Sequence, residues 1–381
     1  MRCTKTIWVA AARLKFRGWM NKERAEGIGS DTRGRCTCRS TGWTTCRAEG
    51  DAPAPAVHFW GEHPATEAEF YAAHGAEGEP SYFSTPEAGA RRLFTRAWRP
   101  RAPERPRALV FMVHGYGNDV SWTFQSTAVF LARSGFACFA ADLPGHGRSH
   151  GLRAFVPDLD AAVADLLAFF RAVKAREEHA GLPCFLFGES MGGAICLLIH
   201  LRTRPEEWAG AVLVAPMCRI SDRIRPPWPL PEILTFVARF APTAAIVPTA
   251  DLIEKSVKVP AKRIIAARNP VRYNGRPRLG TVVELLRATD ELAKRLGEVS
   301  IPFLVVHGSA DEVTDPEVSR ALYAAAASKD KTIKIYDGML HSLLFGEPDE
   351  NIERVRGDIL AWLNERCTPP ATPWHRDIPV E

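Results

Sequence analysis

Ser190 lies in Gly188-Glu189-Ser190-Met191-Gly192, a G-x-S-x-G pentapeptide preceded by Cys184-Phe185-Leu186-Phe187 and followed by Gly193-Ala194-Ile195-Cys196-Leu197-Leu198. An apolar run, a turn of small residues and a second apolar run are the strand, elbow and helix that present a serine hydroxyl for nucleophilic attack. Such a turn is strained and brings strand and helix close, so Gly188 and Gly192 are expected to support it, with Gly193 beside them. Serine is a weak nucleophile until a base takes its proton, and the base needs an acid to hold its tautomer. The chain order Ser, acid, His selects Asp311, in the turn His307-Gly308-Ser309-Ala310-Asp311, and His341, in Gly338-Met339-Leu340-His341-Ser342. Glu312 and Asp315 are the neighbours that could compete for the acid's place, and the only later histidine, His375, lies in a Pro-rich tail.

The tetrahedral intermediate of acyl transfer needs two preorganised donors for its oxyanion. One is expected to be the N–H of Met191, at a helix N-terminus that favours negative charge. The second is assigned to the N–H of Tyr116, in the supporting turn His114-Gly115-Tyr116-Gly117. His114 and His307 open strand-end His-Gly turns and His200 falls on an apolar helix, so all three read as structural. The loop Asp142-Leu143-Pro144-Gly145-His146-Gly147-Arg148-Ser149 reads as a turn bordering the site, without a chemical role. The chain has no phosphate-binding loop, dinucleotide fingerprint or H-E-x-x-H. No cofactor is implied and no metal; Cys36-Thr37-Cys38 with Cys46 lacks both CxxC spacing and a nearby histidine.

The elements that must position these groups begin at Leu109. Short β-rich runs at 109–114, 136–142, 183–188, 211–216, 301–307 and 332–337 each close on a Gly or Pro turn and alternate with helical segments, the pattern of a parallel sheet covered on both faces. Helices are expected over 158–180, 316–328 and 349–366. The fold class is therefore α/β, an α/β-hydrolase fold with a mainly parallel central sheet flanked by helices. About 80 residues at 219–297 interrupt the rhythm where a crossover needs a dozen or so. They carry Pro226-Pro227-Trp228-Pro229-Leu230-Pro231, an apolar run at 233–247 and a helical stretch at 281–296, and read as a cap over the site. The domain organisation is a basic extension at 1–50, a lead-in at 51–107 with a helix at 66–74 and an edge strand at 91–98, the catalytic domain at 108–366 with its cap, and a tail at 367–381.

Of the chain's 381 residues, 46% are hydrophobic and 24% charged, a globular composition. The net charge of +5 belongs to the extension, where 11 Lys/Arg face 4 Asp/Glu; the remainder holds 38 against 40. Nucleic acid is therefore excluded as a partner, since no basic stripe with interleaved aromatics exists outside that segment. No apolar run reaches the length of a spanning helix, which leaves peripheral contact through the cap as the membrane mode. The thiols of Cys138, Cys184 and Cys196 sit in apolar runs, as in a reducing compartment. A cytoplasmic or membrane-peripheral location follows, with a plastid or mitochondrion the alternative because the extension, rich in Arg, Ser and Thr, has the composition of a transit peptide.

From about residue 88 to 366, the His-Gly-Tyr-Gly-Asn-Asp, Gly-His-Gly-Arg-Ser, Gly-Glu-Ser-Met-Gly-Gly, His-Gly-Ser-Ala-Asp and His341-Ser342 motifs resemble the monoacylglycerol lipase-like serine hydrolases, in particular a plant-type branch that includes caffeoylshikimate esterases. The resemblance implies Ser190, Asp311 and His341 as triad, Tyr116 and Met191 as oxyanion donors, and a mobile cap gating an apolar acyl channel. Glu189 departs from the His that precedes the nucleophile in many of these lipases and is typical of the plant-type branch. The expected function is cleavage of a carboxylic ester, a small-molecule substrate, through an acyl-serine: a monoacylglycerol or lysophospholipid. Phenolic esters such as caffeoyl shikimate and acyl transfer to an alcohol are the alternatives within that chemistry. A non-catalytic ligand receptor on the same fold is the alternative outside it. The apolar run at 233–247 favours lipid, since a shikimate ester would want polar partners in the pocket.

Overall fold

The computed structural model describes residues 58–59, 66–86, 91–221, 225, 227–249 and 251–367. The extension at 1–50, with its cysteines, and the tail past 367 lie outside them. Eight strands form one sheet in the order β1-β2-β4-β3-β5-β6-β7-β8. They are β1 (Ala76–Ser84), β2 (Arg92–Pro100), β3 (Ala108–Val113), β4 (Phe136–Ala141), β5 (Cys184–Glu189), β6 (Gly210–Val214), β7 (Phe303–Gly308) and β8 (Lys331–Tyr336). β1 and β2, and β2 and β4, pair antiparallel; all other pairs are parallel. Helices α1 (Glu67–Ala73), α2 (Gln125–Arg133), α3 (Leu159–Lys174), α4 (Met191–His200), α9 (Pro316–Ala325) and α10 (Asp349–Glu365) surround the sheet. Between β6 and β7 stand α5 (Leu230–Ala238), α6 (Leu252–Ser256), α7 (Pro260–Ala267) and α8 (Leu279–Arg295).

Alternation along buried strands divides the core in two. Leu109, Phe111 and Val113 of β3 pack with Val163 and Phe170 of α3 and Ile195 of α4, while Val110 and Met112 pack with Leu131 of α2 and Val355 and Ile359 of α10. Each fully buried Phe or Leu contributes about 1.5–3 kcal/mol. Local signals agree with these positions: Asp158 caps α3 by accepting from Ala161 N–H at 2.9 Å, and Arg171 and Lys174 end that helix, matching its dipole. The helix ends at Lys174, short of the expected 180, and a single 3₁₀ turn follows at Glu177–His179.

The expected edge strand at 91–98 is instead an inner strand. β2 pairs with β4 on one side and with β1 over nine residue pairs on the other, so the sheet starts within the lead-in. The physical reason is visible in β1, whose Ala-Glu-Gly-Glu-Pro-Ser-Tyr-Phe-Ser carries the Pro and charges that protect an exposed edge and hide a strand from pattern reading.

Candidate active site

Strand β5 runs into α4 through Ser190, whose backbone at φ 54°, ψ −117° is one of three positive-φ non-glycine residues among those described. Such a conformation is held only where surroundings over-determine it. Here Ser190 N–H donates to Val214 O at 2.9 Å, and its carbonyl accepts from Gly193 and Met217, each at 2.9 Å. The glycines are required by contact rather than flexibility: a Cβ on Gly188 would sit 2.4 Å from Gly192 O, and one on Gly192 would sit 2.1 Å from Val113 O. A Cβ on Gly115 would lie 3.3 Å from Ser190 Cβ, so the turn after β3 passes directly beside the hydroxyl-bearing carbon.

His341 Nδ1 lies 2.7 Å from Asp311 Oδ2, and both His341 and Ser190 line one cavity of about 240 Å³. Asp311 also accepts from Val313 N–H at 2.7 Å, Thr314 N–H and Thr314 Oγ1 at 3.0 Å, and meets His307 Nε2 at 3.0 Å. Burial opposes its charge, yet His341 and the hydrogen bonds from His307 and His341 outweigh that and hold the carboxyl well below the usual carboxylate range. The two competing acids are occupied elsewhere. Asp315 caps α9 and accepts from Ser221 Oγ at 2.6 Å, and Glu312 pairs with Lys255 at 3.2 Å.

Tyr116 and Met191 line the same cavity as Ser190, and among the described residues neither backbone N–H is taken by a protein acceptor. His114 anchors the turn of Tyr116: its Nε2 accepts from Leu143 N–H at 3.0 Å, which leaves Nδ1–H to donate to Gly115 O at 2.8 Å. Burial pushes the His114 imidazole down to about 4, so it is a neutral structural group. Glu189 also lines the cavity, and burial pushes its carboxyl up to about 7 against the pull of His341 and Arg356.

Sequence reading passed over four of these groups. His307 was assigned to its turn, but it is fully buried and contacts Asp311 as well as Ser319 Oγ, 2.7 Å from Nδ1. Thr314 reaches both Asp311 and, at 3.2 Å, His341 Nδ1. Glu347, wholly buried, accepts from Leu340 N–H at 2.7 Å and so fixes the residue before His341. Glu189 was seen only as a departure from a motif. The i+4 spacing of His307 and Asp311 was the one local signal available; Thr314 and Glu347 act through the fold.

The segment between β6 and β7 reaches the site through α6 and α7. Ser256 O accepts from Ser342 N–H at 2.9 Å, and Leu252, Ile253 and Val257 line the cavity with Leu285 and Leu343. Among the described residues, none of 233–247 lines it; Ile233, Phe236, Phe240 and Ile246 are exposed. That run therefore does not make the pocket itself apolar, and Asn118, Asn269 and Arg272 add polar groups to its lining. No cluster of three or more His, Cys, Asp or Glu suited to a metal exists among the described residues, and none of their helices is long and apolar enough to cross a membrane.

Residues 104–349 match the Hydrolase_4 family, described as "Serine aminopeptidase, S33". A caffeoylshikimate esterase of Arabidopsis thaliana is 43% identical over 314 residues, 82% of this chain and 93% of that one. A monoglyceride lipase of Homo sapiens is 34% identical over 290 residues, 74% of this chain and 89% of that one. Among solved structures, a soluble variant of monoglyceride lipase from Saccharomyces cerevisiae superposes with a TM-score of 0.66 at 23% identity, covering 76% of this chain and 96% of that one.

Proposed function

The chain belongs to the Hydrolase_4 family of α/β-hydrolases and is a serine-type carboxylic ester hydrolase acting on small-molecule esters, and from that premise we propose that Ser190, His341 and Asp311 carry out the reaction on a single-chain acyl ester. His341 takes the Ser190 proton as Oγ attacks the ester carbonyl, and Asp311 holds the imidazole and stabilises its cation. The N–H groups of Tyr116 and Met191 receive the oxyanion. His341 then protonates the leaving alcohol, and water attacks the acyl-Ser190 by the same route in reverse. The 2.7 Å His341–Asp311 contact, in a cavity shared with Ser190 and two unused N–H groups, carries this reading.

The substrate proposed is a monoacylglycerol or lysophospholipid. Support comes from the aliphatic wall that Leu252, Ile253, Val257, Leu285 and Leu343 build around Ser190, and from the cap surface, where Trp228 is 81%, Phe240 77% and Phe236 60% exposed. An apolar face of that kind fits peripheral contact with a lipid surface. A phenolic ester of the caffeoylshikimate type is the second reading, favoured by the 43% identical relative and by the cavity's polar groups. A cytoplasmic or membrane-surface location is proposed, with plastid or mitochondrial import the alternative through residues 1–50. Turnover of monoacylglycerol, lysophosphatidylcholine and caffeoyl shikimate at equal concentration tests the reading through kcat/KM. A lipid ranking first is expected. Caffeoyl shikimate ranking first overturns the lipid assignment, and tight binding without turnover of any ester favours the receptor alternative.

A further inference from the structure

Arg272 lines both the cavity that holds Ser190 and an adjoining cleft of about 420 Å³, formed with Thr249, Tyr273, Asn274 and Pro277. It is half-buried, and no carboxylate forms an ion pair with its guanidinium among the described residues. Asp251 and Asp119 are the acids near enough to act on it; Asp251 lines the same cleft with one carboxylate oxygen committed to the start of α6, and Asp119 is engaged on both oxygens. Asp251 caps α6 by accepting from Ile253 N–H at 2.8 Å. Asp119 accepts from Ser121 N–H at 2.7 Å, Ser121 Oγ at 2.6 Å and Asn269 Nδ2 at 2.5 Å. Glu189, the acid that lines the Ser190 cavity, feels the pull of His341 and Arg356 instead.

The backbone that carries Arg272 is fixed on both sides. Asn269, tied to Asp119, accepts from Val271 N–H at 3.0 Å; Arg153 Nη2 donates to Val271 O at 2.7 Å; and Tyr273 N–H donates to Gly117 O at 3.0 Å. That last bond joins the residue after Arg272 to the residue after Tyr116, so the cation is held to the turn expected to receive the oxyanion. A guanidinium removed from bulk water without a carboxylate partner is costly, and its planar fork matches carboxylate and phosphate oxygens in pairs.

We propose that Arg272 is an anion-recognition residue that selects esters bearing a carboxylate or phosphate on the part outside the acyl pocket, in preference to neutral esters with the same acyl group. This rests on the esterase reading above and narrows it. A shikimate-type carboxylate and a lysophospholipid phosphate share the chemistry, and they differ in the acyl group that must fill the cavity beside them.

The test uses the full chain and two matched pairs: 1-oleoylglycerol against 1-oleoylglycerol-3-phosphate, and the methyl ester of caffeoyl shikimate against caffeoyl shikimate itself. For the wild type, the anionic member of at least one pair is expected to have the higher kcat/KM, and the pair that shows this identifies the source of the anion. In Arg272→Met and Arg272→Gln that anionic-to-neutral ratio should fall about 10- to 100-fold, the range for a lost charge-assisted bond, with part of it restored in Arg272→Lys. An equal ratio in wild type and variants, or a parallel loss for both members, overturns the proposal. Binding of the same esters to Ser190→Ala, with and without Arg272→Met, separates the two claims. If the wild type turns over none of these esters but anion-dependent binding is present and lost with Arg272, the esterase reading falls and the anion site stands.

Discussion

At the scale of single residues, Asp311 holds one ring nitrogen of His341, and Glu189 shares the cavity of His341 and Ser190. Asp311→Asn keeps the size of the side chain but not its charge, so kcat should fall about 10³- to 10⁴-fold with little loss of stability; a fall below tenfold in steady-state turnover would show that another acid serves. Burial pushes the Glu189 carboxyl up to about 7, against the pull of His341 and Arg356. Glu189→Gln should therefore remove an inflection near pH 7 from the kcat/KM profile, and an unaltered profile would show that this carboxyl does not act on the base. Ser190, Asp311 and His341 could be named from the sequence because each follows a recognisable strand and because the later His375 lies in a Pro-rich tail. Asp311 is chosen in the sequence by its place in the turn after β7, and in three dimensions its two competitors face Lys255 and the start of α9. His307 and Thr314 were not legible as partners of the acid because their contacts depend on how the turn after β7 folds back.

At the scale of elements, the turns after β3, β4 and β8 are tied by buried polar groups. His114 joins the first two, and its ring lies 5.3 Å from that of His146, which burial pushes down to about 3. Both imidazoles are neutral when folded and charge near 6.5 when unfolded, so the unfolded chain binds more protons between about pH 6.5 and 4 and stability falls as pH falls through that window. Asp142, pushed up to about 7 by burial and by Asp119, works in the opposite sense, gaining stability as pH falls. The difference between wild type and His114→Gln isolates the imidazole. Urea midpoints from pH 7 to 4 should fall more steeply for the wild type, by at most roughly 3 kcal/mol over the window; parallel curves would contradict a neutral buried His114. Glu347→Ala should free Leu340 N–H and lower kcat about tenfold or more by loosening His341, on the scale of a single misplaced contact; unchanged turnover would assign Glu347 to stability alone. Six parallel strands were readable from short β-rich runs, whereas β1 escaped because an edge strand is built from the residues that pattern reading discounts. Helices α6 and α7, of five and eight residues, escaped because so few turns carry no measurable period.

At the scale of the whole molecule, the described residues between β6 and β7 have two surfaces. The α6 and α7 side walls the cavity, while α5 has no buried residue and presents Leu230, Ile233, Phe236 and Val237 outward. The sequence showed the insertion and its apolar run, but not which way that run faces, because an amphipathic segment can point its apolar side inward or outward with the same composition. The outward orientation transfers the lipid argument from the pocket to the surface. Replacing Phe236 and Phe240 with Ser together should lower partitioning to phospholipid vesicles about tenfold or more, since each phenyl ring contributes about 1.5–3 kcal/mol when removed from water; sedimentation with vesicles measures it, and equal partitioning would remove the membrane role. The claim on which all of this depends is that an ester is cleaved through an acyl group on Ser190. Its most direct test is titration of the full-length chain with an active-site fluorophosphonate, following adduct mass and ester turnover in the same samples. The expected result is one adduct per chain, mapped to Ser190, with turnover lost in proportion; an adduct elsewhere, or full occupancy of Ser190 with turnover intact, would contradict it.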